Sequence, residues 1–418
     1  MASQQRAERA LHEAATGRSW TFGELLAWSD RSSAPPTGRV FPQGLGADFI
    51  LEVLRGWRHG CCVCPLEVGQ EAPRIPPPPP GMVHLKLTSA STGSARMVAF
   101  QAGQLAADPA HIVATMGLRP DWPNLGAISL AHSYGFSNLV LPLLLHGIPL
   151  VLAASSLPEA LRRAAAGEPA LTLPGVPALW RAWHEADAIP AGVRLAISAG
   201  APLPLELERT VFQQRGVKIH NFYGSSECGG IAYDRSPQPR SDDRSVGTAM
   251  QGVSLDVGAD GCLRVRGPNV AETYWPDAAG PLGDGCFQTT DLAEFHGDEL
   301  HLLGRAGDVI HVAGRKVAPE AIEQTLRHHT AIRDCLVFGV PAARVERGEQ
   351  IVAVVAGTDL APGDLAAFAA GSLPDWQVPR QWWVVDSLDP DPRGKLSRRE
   401  WCQRFLSRRQ TGGVSPEP

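Results

Sequence analysis

Apolar positions recur along this chain with changing period, and the period predicts the elements. Val83, Leu85 and Leu87 alternate with polar neighbours and predict a strand that turns those three side chains to one buried face. Thr21 predicts the cap of a helix running through Leu26, and 49–57 is apolar at helical spacing. Five consecutive prolines at 76–80 fit neither a helix nor a central strand and predict a stiff polyproline connector. From Gln101 to about Leu302, helical patterns alternate with short apolar runs such as 150–153, 170–173, 195–198 and 218–222. That alternation predicts a layered α/β domain with much parallel sheet.

Beyond residue 256 the pattern shortens. In LDVGADGCLRVRG, Asp260-Gly261 lies between two alternating runs and predicts a turn. Helix signals at 319–328 and 362–370, with apolar runs at 335–340 and 351–355, predict a small α+β domain. The expected class is therefore α/β: a large layered N-terminal domain of mixed sheets with a small β subdomain, then a smaller α+β domain. The length of 418 residues agrees, because single cores rarely grow past ~300 residues.

Composition and charge narrow the function classes. A net charge of -5 gives no electrostatic reason to expect nucleic acid. The longest apolar stretch, 139–154, is interrupted by Pro142, His146, Gly147 and Pro149 and falls short of the ~20 residues of a spanning helix. No membrane span is expected, and the stretch reads as a buried helix followed by a strand. The first twenty residues lack an apolar core of signal-peptide length, so the cytoplasm is the expected location. The eight cysteines have no even spacing and predict no disulfide framework. Cys61, Cys62 and Cys64 lack a second pair at zinc-like spacing and read as small buried apolar residues.

The segment TSASTGSARM, residues 88–97, directly follows the alternating strand. Thr88, Ser89, Ser91 and Thr92 supply hydroxyl donors, Gly93 allows close backbone approach, and Arg96 supplies positive charge for phosphate oxygens. The same composition also suits a flexible surface loop. Four further segments follow in order: NFYGSSECGG (221–230), FQTTD (287–291), GRAGDVIHVAGRKVAPEAIE (304–323) and PRGKLSR (392–398).

Together the five segments resemble the ordered motifs of the adenylate-forming superfamily, which holds acyl- and aryl-CoA synthetases, adenylation domains of peptide synthetases, and luciferases. The resemblance runs from about Thr21, in SWTFGEL, to the last lysine motif. It implies an N-terminal adenylation domain over 1–303 and a mobile C-terminal domain over 304–418. It also implies a two-step reaction in which a carboxylic acid and ATP give an acyl-adenylate, and a thiol then displaces AMP. The implied cofactors are ATP and Mg²⁺. The acceptor is CoA or the phosphopantetheine of an acyl carrier protein, which would then be a partner.

The site residues follow motif by motif. The hydroxyl loop is similar to the family's phosphate loop, with Thr88, Ser89, Ser91, Thr92, Gly93 and Arg96 on the phosphates. Glu227 is expected to ligate Mg²⁺, Ser226 to donate to the α-phosphate, and Tyr223 beside Gly224 to stack on adenine. Gly200 and Ala201 resemble the segment that runs beside the adenine. Asp291 matches the aspartate that accepts from both ribose hydroxyls, and Arg305 the basic residue near ribose or phosphate. Lys395 is similar to the lysine that bridges substrate carboxylate and α-phosphate, a task suited to a compact ammonium. His132, in SLAHSYGFSN, resembles the histidine that approaches the activated carboxylate. Tyr134, Phe136, Phe222 and Gly229 are the expected pocket lining; they are apolar or small and suit a fatty or aromatic acid. The aspartate with which amino-acid-activating members hold an ammonium is missing.

The pattern is broken in places. Ala90 and Ala95 stand where glycine and proline are usual, Arg96 replaces lysine, Thr290 replaces a glycine, and Gly307 takes the hinge position. A phosphate loop beginning at residue 88 implies a shortened N-terminal domain. These departures leave a second expectation beside the ligase: a degenerate, non-catalytic member that binds nucleotide or acid without turnover.

Overall fold

The computed structural model describes residues 6–410 except 75, 88–95, 279, 313, 343–348 and 389–395. The chain divides into two compact units. Unit 1 comprises residues 1–256, 264–289 and 295–301; unit 2 comprises 257–263, 290–294 and 302–418.

Unit 1 is built on a nine-stranded sheet whose middle is parallel. Leu171–Gly175, Val193–Ser198 and Ile219–Ser225 lie side by side in the same direction, joined through helices Pro177–Glu185 and Leu205–Arg215. These strands match the apolar runs read from the sequence, and most of their residues are buried because helices cover a parallel sheet on both faces. Trp180 and Trp183 are fully buried against this sheet, and the Trp180 indole donates to Ile197 O at 3.1 Å. The stretch at 139–154 becomes a π-helical turn Phe136–Val140, helix Leu141–His146 and strand Leu150–Leu152. Thr21 caps helix Phe22–Arg31, accepting from Glu24 N at 3.1 Å while the Glu24 carboxylate accepts from Thr21 N at 2.7 Å. Such a reciprocal cap stabilises a helix by about 1 kcal/mol.

The strand before the hydroxyl loop, Met82–Leu87, corrects the alternation argument. Leu85 is buried as expected, but Val83 and Leu87 are only half-buried, while His84 and Lys86 on the opposite face are buried. This strand sits inside a five-stranded sheet, between Cys62–Val63 and Met97–Gln101. Helix Ala102–Met116 covers the His84 and Lys86 side, so polar residues in the sequence pattern did not mark solvent. Cys61, Cys62 and Cys64 are buried and unbridged, and burial pushes the Cys62 and Cys64 thiols up to about 12.

Unit 2 holds a three-stranded sheet of Ile332–Pro341, Glu349–Gly357 and Gln381–Val385. Alternate residues face opposite sides, and both sides are apolar. Cys335, Val337, Ile351 and Val355 pack under helices Pro319–Leu326 and Pro362–Ser372; Leu336, Phe338, Val352 and Val354 pack under helix Arg398–Gln410. Gly261 occupies the expected turn with φ of +79°, between Ser254–Val257 and Cys262–Arg266. No helix among the described residues is long and apolar enough to cross a membrane.

Candidate active site

In unit 1 the candidate residues follow the carboxyl ends of parallel strands, where an open α/β sheet offers its ligand crevice. Gly200 and Ala201 come directly after Val193–Ser198, and Gly200 has φ of +86°. Tyr223 and Gly224 lie in the last residues of Ile219–Ser225, which folds back antiparallel on Gly229–Tyr233 through a turn holding Ser226 and Glu227. Glycine is required twice in this hairpin. A Cβ on Gly224 would come within 2.5 Å of Gly229 O, and one on Gly229, whose φ is +66°, would collide with the Asp108 carboxylate.

Glu227 is fixed on three sides. Its N–H donates to Ser225 Oγ at 3.2 Å, its carbonyl accepts from Ala271 N at 2.9 Å, and its Oε1 accepts from the Tyr274 hydroxyl at 3.1 Å. The Tyr274 ring in turn lies 3.7 Å from the Arg96 guanidinium. Burial and the adjacent Glu227 carboxylate push the Tyr274 phenol up, so it remains a hydrogen-bond donor. A line of Arg96, Tyr274 and Glu227 therefore joins the end of the hydroxyl loop to the expected magnesium carboxylate. Among the described residues no group of three His, Cys, Asp or Glu could cage a metal ion. A single carboxylate fits Mg²⁺, which commonly takes its remaining ligands from phosphate and water.

The acid-pocket candidates divide. His132 caps the turn Ser133–Gly135, its Nδ1 accepting from Tyr134 N at 3.3 Å, so a neutral ring carries its proton on Nε2. The Tyr134 hydroxyl donates to Ile197 O at 3.3 Å, its ring lies 6.0 Å from that of Phe222, and Gly230 packs on Phe222. Phe136 does not join them. It is buried, stacked 4.4 Å from His84 and edge-on to Trp57 and Phe49, because residues two apart on a helix point to different sides. Phe136 is core rather than lining.

In unit 2, Asp291 lies in strand Cys286–His296 and accepts from Arg305 Nε at 3.1 Å, so the two residues expected at the ribose meet each other. Gly307 sits in the 3₁₀ turn Ala306–Asp308, where a Cβ would meet nothing. Thr88, Ser89, Ser91, Thr92, Gly93 and Lys395 lie outside the described residues. Arg398, the last residue of PRGKLSR, is well anchored: it donates to Glu323 at 2.8 Å, to Asp308 at 3.0 Å and to Val337 O at 3.1 Å. Sequence reasoning passed over Tyr274, Lys86 and Asp108. Tyr274, in ETYW, carries no motif; Lys86 could have been flagged as a charge inside an apolar strand.

Comparison with known proteins decides the family. Residues 37–275 match the profile described as AMP-binding enzyme, and 321–395 match AMP-binding enzyme C-terminal domain. The chain belongs to the AMP-binding enzyme family. This AMP-binding enzyme is 29% identical to feruloyl-CoA synthase of an Amycolatopsis species over 359 residues, covering 80% of the chain and 72% of the relative. It is 30% identical to a Mycobacterium tuberculosis protein named "Probable 2-succinylbenzoate--CoA ligase", covering 76% of the chain and 83% of that protein. Its fold superposes on ATP-bound MatB from Rhodopseudomonas palustris with a TM-score of 0.83 at 20% identity, over 97% of each chain. The adenylate-forming fold expected from the five motifs is thus the observed one.

Proposed function

We propose that this AMP-binding enzyme joins an aromatic carboxylic acid to the thiol of CoA through an acyl-adenylate. The observation that carries the reading is the line of Arg96, Tyr274 and Glu227, adjoining in sequence and sheet the apolar cluster of Tyr134, Phe222 and Gly230, whereas Gly229, expected in the lining, faces the Asp108 carboxylate. A carboxylate attacks an anionic phosphate poorly, so the site must neutralise charge and hold the reactants in line. Arg96 and the hydroxyl loop bind the β- and γ-phosphates, and Glu227, whose carboxylate accepts from the Tyr274 hydroxyl, would hold Mg²⁺. Bound there, Mg²⁺ would supply charge neutralisation on the phosphate oxygens. Tyr223 and Ser226 receive adenine and α-phosphate, Asp291 and Arg305 the ribose side, and Lys395 bridges acid and α-phosphate.

In the first step a carboxylate oxygen bonds to the α-phosphorus and the bond to pyrophosphate breaks. In the second the thiol sulfur bonds to the acyl carbon, the carbon–oxygen bond to AMP breaks, and the thiol proton passes to solvent. His132 faces the activated carboxylate. The cytoplasm supplies ATP and CoA, and eight unbridged cysteines suit its reducing conditions. Both relatives named above carry the names of aromatic acid–CoA ligases, which favours an aromatic acid and CoA.

The test is pyrophosphate release from Mg·ATP across cinnamates, benzoates, arylacetates and alkanoates, followed by mass spectrometry with CoA and with a holo acyl carrier protein. Release with an aromatic acid and the mass of its CoA thioester is the expected result. Silence across the panel overturns the ligase in favour of a member that binds without turnover, and product only on the carrier protein moves the acceptor.

A further inference from the structure

We propose that Asp108, held by Lys86 and Ser137, is a positioning residue for the turn that carries Glu227. The inference rests on the ligase reading of that turn. Asp108 sits in helix Ala102–Met116 and is 1% exposed. Its Oδ1 accepts from Gly230 N at 3.0 Å, and its Oδ2 accepts from the Ser137 hydroxyl at 2.5 Å. Lys86 Nζ lies 4.0 Å from Oδ2, donates to Ser137 Oγ at 3.3 Å, and faces the Phe100 ring at 4.6 Å. One carboxylate thus meets the strand that leads into the hydroxyl loop, the segment that follows His132, and the backbone three residues past Glu227.

The contact is close as well as polar: Gly229 lacks a Cβ at the point where one would strike this carboxylate. On its other side the same turn is held by Asn269 Nδ2, which donates to Cys228 O at 2.6 Å, and by Ala271 N on Glu227 O. Stability alone does not account for the arrangement. Buried ion pairs are often replaced by apolar residues of equal volume without loss, and here, among the described residues, the ammonium donates one direct hydrogen bond, to Ser137. Neighbouring His84, fully buried, has no hydrogen-bond partner for either ring nitrogen among the described residues. What the Asp108 carboxylate contributes is a fixed acceptor for the Gly230 amide and, through that hairpin, the aim of Glu227.

Two paired variants separate geometry from folding. Lys86→Met with Asp108→Leu removes both charges and the acceptor while keeping the branched side-chain skeleton; Lys86→Met with Asp108→Asn removes the charges but keeps an acceptor. At a temperature where both are folded, the first is expected to lose about tenfold in kcat for adenylation and to need about tenfold more Mg²⁺ for half-activity, the range seen when partners of a metal ligand are removed. The second restores both. Amide exchange over residues 228–231, measured on the full chain without substrate, speeds up in the first variant and returns in the second. Wild-type kinetics and wild-type exchange in the first variant overturn the proposal. Altered exchange in a chain that activates no acid sinks the ligase reading and leaves the positioning of the turn standing.

Discussion

Unit 1 buries two sets of charges, and they are built differently. Around Glu208, wholly buried in helix Leu205–Arg215, the partners are dense: Arg240 donates through Nε at 2.9 Å and through its backbone N at 3.0 Å, and Lys218 bridges Glu208 to Asp234. The other Arg240 nitrogens donate to Ser245 O at 2.6 Å and Leu203 O at 2.7 Å. Around Asp108 the set is sparse, with Lys86 reaching the carboxylate mainly through Ser137. The dense set ties a helix and a loop to the sheet, with Lys218 at the amino end of Ile219–Ser225, the end opposite Tyr223 and Gly224. The sparse set touches the hairpin of Glu227, which teaches that charge is buried in one place for the fold and in the other for aim.

Breaking the dense set is expected to cost the most stability and the least chemistry. Glu208→Ala leaves Lys218 and Arg240 buried without their shared acceptor, a loss of about 4 kcal/mol in denaturant unfolding, while the fraction still folded keeps its kcat and Mg²⁺ dependence. A changed Mg²⁺ dependence there would erase the contrast. Asp108→Leu comes next, at about 3 kcal/mol, because it strands the Lys86 ammonium.

That variant also carries a pH signature. Burial lowers Lys86 below the ordinary lysine value of 10.5, and Asp108 opposes the shift. With the folded value below the unfolded one, the unfolded chain binds more protons between the two, so stability rises with pH through that window. Removing Asp108 lowers the folded value further. Its unfolding free energy should therefore climb more steeply than that of the wild type as the pH rises toward 10.5 from below. A flat profile would mean that Lys86 has found another partner.

Tyr274→Phe probes the sparse side one step further out. It deletes one hydrogen bond to the Glu227 carboxylate and keeps the ring under Arg96, so about 1.5 kcal/mol, roughly tenfold, should leave kcat/KM for Mg·ATP with little change in unfolding. An equal loss in stability and kcat/KM would make Tyr274 a packing residue.

The sequence made the parallel strands, the helix cap at Thr21 and the order of the five motifs legible, because each depends on local spacing. It did not reveal what the spacing brings together. Lys86 and His84 occupy the polar positions of an alternating strand, which ordinarily face water; helix Ala102–Met116, laid over that side, and the Phe136 and Trp57 rings against His84 make them buried. Phe136 shares a motif with Tyr134 yet faces the core, since the helical turn between them rotates the side chain away. Tyr274 reaches Glu227 from 47 residues along the chain, a pairing that no local period encodes.

The smallest expected effect on stability lies at the surface. Arg305 and Asp291 form a charge pair at 3.1 Å whose side chains are 62% and 20% exposed, and exposed pairs contribute about 0–1 kcal/mol and weaken with salt. Arg305→Ala should therefore shift unfolding by no more than about 0.5 kcal/mol. Weakness at this position has a use under the ligase reading, because a carboxylate that accepts from ribose hydroxyls must exchange its protein partner for substrate at little cost. Asp291→Asn should raise the KM for ATP several-fold and erase the preference for ATP over 2′-deoxy-ATP, whereas Arg305→Ala keeps that preference. If instead Arg305→Ala destabilises the chain as much as Asp108→Leu, exposure has ceased to distinguish the pairs, and the division between charges that hold the fold and charges that meet the substrate fails with it.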